Sequence, residues 1–424
     1  MSSNVNPRRR VMRGLQKVLD RGQSREEALD SILKDLPAKY CAKWTSLFYG
    51  CLRSYNYLMP WLEEVRKNSG KPKKLPREVQ FILIMATHQF KLMSSFPSYA
   101  IIQESLKLVP KQYFSLKKYI GFLLREIERS NLSIPSEIVL PEWLLNEVPK
   151  ILEEEFVEDF CQRMNEEPSS ALFTKGQVSL ESVQAIGRDS YTFENLNLEQ
   201  RLDMIEQGAV FGELLSITMP MRFVGQPLNY LDLCSAPGTK LSVALQVFPK
   251  AKLWGIEKDS QRYAATIKRL RQNTKVAREL HRLNFINKDA LHWMEQMDPE
   301  SMDFILLDAP CSALGTILNH PEFLSLKESQ SFDHLPDLQF ELLSKALNLL
   351  KPGGQIIYSV CTFRLEESEM IIKRCVEQHK NIQLADDSSI LGEKVFRGDY
   401  GQYIWGARGR ANQLFYFQRI LKEK

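Results

Sequence analysis

From Leu228 onward, apolar runs of strand length alternate with stretches of helical periodicity, and this alternation leaves few folds open to the chain. Strands are expected at 229–234, 252–257, 282–286, 303–308 and 354–360, interleaved with helices at 239–248, 260–272, 337–350 and 366–378. Runs apolar on both faces suit buried parallel strands, and parallel strands joined through helices require right-handed crossovers. The reading is an α/β domain built on a parallel sheet. A last run, Leu414-Phe415-Tyr416-Phe417-Gln418-Arg419-Ile420, reads as a closing antiparallel strand.

The preceding residues follow a different rule. Across 7–130 apolar side chains recur at helical spacing, as in Val11-Leu15-Val18-Leu19, Leu47-Phe48-Cys51-Leu52, Phe81-Ile82-Ile84-Met85 and Ile120-Leu123-Leu124-Ile127. The stretch Arg66 to Lys74 combines chain breakers with positive charge and reads as a loop, and Ser130 to Pro141 reads as a linker. Beyond it, a helix is expected around Trp143-Leu144 and the acidic Glu153-Glu154-Glu155, followed by a mixed, poorly periodic stretch. A chain of 424 residues exceeds one ordinary core. The expected division is 1–130, all helical; 140–225, a small α+β segment; and 226–424, the α/β domain.

Charge separates the same regions. The whole chain carries a net +4, but residues 1–130 hold 24 Lys and Arg against 11 Asp and Glu, leaving the remainder acidic. A basic module on an acidic one points to a polyanion docked through the first, with a merely solvated basic surface as the alternative. No apolar stretch approaches the roughly 18 residues of a membrane span. The basic start Asn6-Pro7-Arg8-Arg9-Arg10 leads into no uninterrupted apolar segment, so no signal peptide is expected. Seven cysteines without close pairs argue against a disulfide framework or a zinc site, and the six histidines show no metal spacing. The expectation is a cytoplasmic monomer without metal.

Chemistry concentrates at strand ends. The turn Cys234-Ser235-Ala236-Pro237-Gly238-Thr239-Lys240 follows the first strand with small residues and opens a helix, whose free N–H groups can face a ligand. It lacks the Gly-x-Gly-x-x-Gly spacing of a dinucleotide fingerprint. The second strand ends at Glu257, where a carboxylate can accept ribose hydroxyls, and the third leads to Asp289, which could reach an adenine amino group. Each acid taken singly also reads as a helix cap or a solvated turn residue. The fourth and fifth strands run into Asp308-Ala309-Pro310-Cys311-Ser312 and Ser359-Val360-Cys361-Thr362. A lone free cysteine is ordinarily a small buried hydrophobe, the reading kept for Cys41, Cys51, Cys161 and Cys375, with Cys234 packed beneath its turn. Two thiols just beyond neighbouring strand ends suit covalent transfer chemistry instead.

These motifs, with Gly315 and His320-Pro321-Glu322, resemble the Nol/Nop/Sun family of RNA cytosine-C5 methyltransferases, in particular its RsmB type with a NusB-like N-terminal domain. Leu47-Phe48-Tyr49-Gly50-Cys51-Leu52-Arg53 and Gly121-Phe122-Leu123-Leu124-Arg125 are similar to that helical domain. The resemblance implies a Rossmann-like class I methyltransferase domain with S-adenosylmethionine on residues 234–240, Glu257 on its ribose and Asp289 near its adenine. It also implies that Cys361 is the nucleophile, that Cys311 aids release, and that Asp308 and Lys240 line the pocket. The implied substrate is small-subunit ribosomal RNA; transfer RNA, or a role as a weakened RNA-binding assembly factor, are the alternatives. The chain departs from the family pattern in several places. Thr239 replaces a glycine and so requires a negative φ, Val360 replaces threonine, and Ala313-Leu314-Gly315 replaces Gly, Thr or Val, then Gly. Leu318 and Asn319 stand where arginines are expected, and Gly212-Glu213 where a Gln-Asp pair is expected.

Overall fold

The computed structural model describes residues 6–68, 75–93, 96–130, 140–164, 171–175, 178, 182–187, 189–193, 196–222, 224–326, 331–386, 394–406 and 413–424. Most of the expected 66–74 loop and of the 130–141 linker lies outside them. The chain divides into two compact units, one of residues 1–144, 164–166 and 320–330, the other of 145–163, 167–319 and 331–424.

The first unit is helical: α1 (Pro7–Arg21), α2 (Arg25–Leu33), α3 (Ala38–Asn68), α4 (Arg77–Lys91), α5 (Ser98–Leu108) and α6 (Lys117–Arg129). Local chemistry sets the ends of α1. The Asn6 side chain accepts from the Arg8 N–H, Pro7 occupies the first turn, and Gly22 closes the helix at φ 63°. The periodic apolar residues, including Val11, Leu15, Leu47, Phe48, Phe81, Ile84, Ile120 and Leu124, share one buried core. Each such side chain removed from water contributes roughly 1.5–3 kcal/mol, which is what keeps α4, buried along most of its length, in the centre. No helix among the described residues is long and apolar enough to cross a membrane.

The second unit holds two sheets. Residues 171–212, featureless in periodicity, form a four-stranded antiparallel sheet of β1 (Ala171–Phe173), β2 (Val183–Gly187), β3 (Ser190–Phe193) and β4 (Val210–Gly212) in the order β2-β3-β1-β4. Strands of three to five residues are too short to show a period, so their pattern could not be read in advance.

The larger sheet contains β5 (Asn229–Leu233), β6 (Lys252–Ile256), β7 (Leu283–Ile286), β8 (Met302–Asp308), β9 (Leu350–Val360), β10 (Ile382–Ala385), β11 (Lys394–Arg397), β12 (Gln402–Trp405) and β13 (Leu414–Lys422). Its order is β11-β12-β13-β9-β8-β5-β6-β7, with β10 also paired to β13. The five strands β5 to β9 are parallel, and β13 runs antiparallel to β9. The chain order reverses between β5 and β8, and an open sheet offers a ligand crevice at such a switch point. The expected helix at 366–378 is broken. A short turn at Leu365–Glu367 precedes a helix that begins only at Glu369, because Ser368 leaves helical geometry at φ −121°, ψ −99°.

Candidate active site

Register brings the strand ends level. Leu233 pairs with both Leu307 and Ile256, Ile256 pairs with Ile286, and Asp308 pairs with Ser359. The side chains that leave β5, β6, β8 and β9 therefore emerge at one edge.

The turn after β5 is held by its own small residues. The Ser235 hydroxyl donates to the carbonyl of Asp232, 2.6 Å away, and accepts from the Ile256 N–H at 2.9 Å, tying the turn to β6. Gly238 sits at φ 84°, and a Cβ there would lie 2.6 Å from the Thr266 methyl, so only glycine fits. Thr239 is the first residue of the helix Thr239–Val247 and is absent from the positive-φ positions of the chain, which is what a threonine there requires. A Cβ on Gly212 would lie 2.9 Å from the Thr239 methyl, so the threonine fills space that the bare backbone of β4 leaves open. Cys234 adopts φ 61°, and burial, then the nearby Asp308 and Glu257 carboxylates, push its thiol up to about 12.

Glu257 is buried at the end of β6. It accepts from the N–H groups of Ala236 at 3.3 Å and Asp259 at 2.9 Å, with the Arg262 guanidinium 3.6 Å away. The acid is thus fastened to the turn it was expected to accompany. Asp289 lies three residues past β7, is exposed, and caps the helix Ala290–Met294 by accepting from the N–H groups of Leu291 and His292.

The two thiols meet. Cys311 Sγ and Cys361 Sγ are 3.4 Å apart, both partly exposed. Lys240 Nζ lies 2.5 Å from Asp308 Oδ2, and the Ser359 hydroxyl donates to Asp308 Oδ1 at 3.1 Å. Burial alone would lower the Lys240 pKa, but the charge and hydrogen bond of Asp308, with smaller contributions from Asp232 and Cys361, hold it above the ordinary lysine value. The Cys311 thiol is raised well above its ordinary value by its hydrogen bond to Cys361, then by burial, the charge of Cys361, Glu367 and Asp308.

Asp232 and Glu367 were not singled out from the sequence. Asp232, within β5, is fully buried, and among the described residues neither of its carboxylate oxygens has a hydrogen-bond partner. Burial drives its pKa up to about 8, while Lys240 pulls it down and Asp308 and Glu257 push it further up. Nothing in the alternating pattern of β5 marks it except a charge inside an apolar run, which is itself the usable signal. Glu367 is also fully buried, on the turn after β9. Of the expected arginine positions, Leu318 and Asn319 are both buried, so core packing occupies them. Among the described residues no three histidine, cysteine or acidic side chains gather to hold a metal ion.

The donor set fits a positively charged nucleoside cofactor. Three buried or partly buried carboxylates, Asp232, Glu257 and Asp308, face Lys240 and Arg262 around one glycine turn, and one of the three is without a partner among the described residues. A cation entering there favours the ionised form of all three. Sheet order, turn and strand-end cluster together define a class I methyltransferase. The family described as "16S rRNA methyltransferase RsmB/F" matches residues 226–416, and the NusB family matches residues 5–129. The chain is 26% identical over 430 residues to the ribosomal RNA small subunit methyltransferase B of Photorhabdus laumondii, covering 93% of this chain and 96% of that one. Its counterpart in Klebsiella pneumoniae is 27% identical over 401 residues, covering 88% and 90%. A solved structure described as "Crystal Structure of PH0851" shares the fold at TM-score 0.73 over 99% of both chains, with 20% identity. Residues 226–416 are thus similar to the RsmB/F methyltransferases and residues 5–129 to the NusB family, and the methyl donor is S-adenosylmethionine.

Proposed function

We propose that the protein is an RNA cytosine-C5 methyltransferase that forms 5-methylcytosine in small-subunit ribosomal RNA through a covalent adduct to Cys361. The observation that carries this reading is the 3.4 Å pair of sulfurs beside the Lys240–Asp308 ion pair. Two thiols have distinct tasks on a cytosine ring. C5 is a weak nucleophile in the intact aromatic base, and addition of a thiolate at C6 makes it enamine-like. When bound, S-adenosylmethionine supplies an electrophilic methyl group for that carbon. In this reading the Cys361 thiolate attacks C6, and Cys311, whose sulfur lies 3.4 Å away, is within reach to exchange a proton with it. Asp308, braced by Lys240 and Ser359, accepts from the ring's N4 amino group and from N3 once that nitrogen takes up a proton, and the Lys240 ammonium offsets the negative charge that addition pushes toward N3. After transfer, the C5 proton leaves, C5=C6 re-forms and the Cys361–C6 bond breaks, with Cys311 relaying protons for that elimination.

Residues 234–240 and Glu257 hold the cofactor in this reading, with Asp289 at its adenine end. Residues 1–130 dock RNA, 140–225 form a smaller accessory segment, and 226–424 carry the reaction. A target base must be unstacked to reach the edge of the sheet, which favours loops and single strands. The test uses two variants of the full chain with ribosomal RNA and labelled cofactor. Cys361→Ala abolishes methyl transfer, and Cys311→Ala accumulates a protein–RNA adduct that survives denaturing electrophoresis. Normal transfer by both variants would sink the covalent reading.

A further inference from the structure

Glu367 carries a buried charge that the chemistry above does not use. One of its oxygens, Oε2, accepts from the Ser312 N–H at 2.8 Å and from Gln339 Nε2 at 3.0 Å. The same Gln339 nitrogen donates to the Pro310 carbonyl at 2.9 Å, so both chain neighbours of Cys311 are fastened through a single carboxylate oxygen. The other turn is fastened as well. Glu367 Oε1 lies 3.5 Å from Arg364 Nη1, the Glu367 carbonyl accepts from the Tyr358 hydroxyl at 2.7 Å, and the Ser312 and Thr362 hydroxyls are 2.8 Å apart. Arg364 is anchored in turn by Glu147 Oε2 at 2.5 Å from its Nε.

We propose that Glu367 is a positioning residue for the thiol pair: its carboxylate locks the Pro310–Ser312 turn to the turn after Cys361 and so sets the contact between the two sulfurs. Burying a carboxylate is costly unless the groups around it need it there, and a buried amide or hydroxyl of the same shape would satisfy Ser312 without charge. The charge has its own use, because Glu367 is among the groups that keep the proton on Cys311. The inference rests on the two-thiol reading of the site, but its test requires neither RNA nor cofactor.

In the full-length protein, iodoacetamide labelling of Cys311 and Cys361 is resolved by peptide mass as a function of pH. Glu367→Gln keeps the shape and removes the charge. Labelling of Cys311 at pH 8 then rises about tenfold, its pH midpoint moves down, and melting temperature changes little. An unchanged midpoint in a folded Glu367→Gln protein overturns the proposal, whereas failure of the covalent reading appears as normal methyl transfer by Cys361→Ala and Cys311→Ala. Glu367→Asp provides a second measurement should the glutamine variant not fold. It keeps the charge and withdraws the oxygens by one methylene, so diamide, which takes two electrons and two protons from the thiol pair, joins Cys311 to Cys361 at least about fivefold more slowly than in the wild type. An equal rate of joining overturns the strap.

Discussion

Asp232 shows how much a single side chain can make the fold depend on pH. Its folded-state pKa of about 8 lies above the ordinary aspartate value, so between about pH 4 and 8 the folded chain keeps a proton that the unfolded chain has lost. The unfolded state binds fewer protons across that window, and stability therefore falls as pH rises through it. With the cofactor-free protein, Asp232→Asn flattens this fall, whose slope approaches about 1.4 kcal/mol per pH unit for one proton. Denaturant titrations at pH 5, 6 and 7 measure it, and parallel curves for the two proteins would remove Asp232 as the source. Ala313 illustrates a different local constraint. It sits at φ 58°, in the left-handed region, where the resembled family prefers glycine. A side chain there costs about 1–2 kcal/mol, a strain this loop carries two residues past Cys311.

At the scale of elements, the two cysteine loops are set by how closely backbones approach. The Gly315 N–H donates to the Cys361 carbonyl at 3.0 Å, and a Cβ on Gly315 would lie 2.1 Å from the Leu414 carbonyl oxygen at the start of β13. Gly315→Ala must therefore push the loop after β8 away from β9 and β13. We expect a loss of at least about 2 kcal/mol of stability, typical of forced overpacking, and slower diamide joining of Cys311 to Cys361. Wild-type stability and joining in this variant would show that the contact is soft. The five parallel strands were legible because each is an apolar run long enough to be distinguished from its helix, and the cysteine pair because each thiol follows such a run. The small sheet was not, since strands such as Ala171–Phe173 offer no period. Nor was the role of Glu367, which lies in an acidic stretch with Glu366 and Glu369 and differs from them only by burial that no local pattern encodes.

For the whole molecule, the proposed docking of RNA on residues 1–130, which hold 24 Lys and Arg against 11 Asp and Glu, puts the salt dependence of binding in that region. On α6, Lys117, Lys118, Arg125 and Arg129 are exposed together with Phe122. Exchanging those four cations for glutamine lowers the steepness of log Kd against log salt by about 0.7 for each phosphate of single-stranded RNA that the protein no longer neutralises. Filter binding from about 50 to 300 mM salt reads it, and an identical steepness would place the RNA elsewhere. The pairing of Gly212 with Thr239 has a longer consequence. The resemblance leads one to expect glycine at Thr239 and a Gln-Asp pair around Gly212-Glu213. The threonine methyl stands where a Cβ of residue 212 would otherwise point. A larger residue at 212 would meet the Thr239 methyl at 2.9 Å and the Ile217 methyl at 3.0 Å, so side-chain volume can enter β4 there only if residue 239 shrinks and Ile217 gives way, and Thr239→Gly alone leaves a hole beside the first turn of its helix.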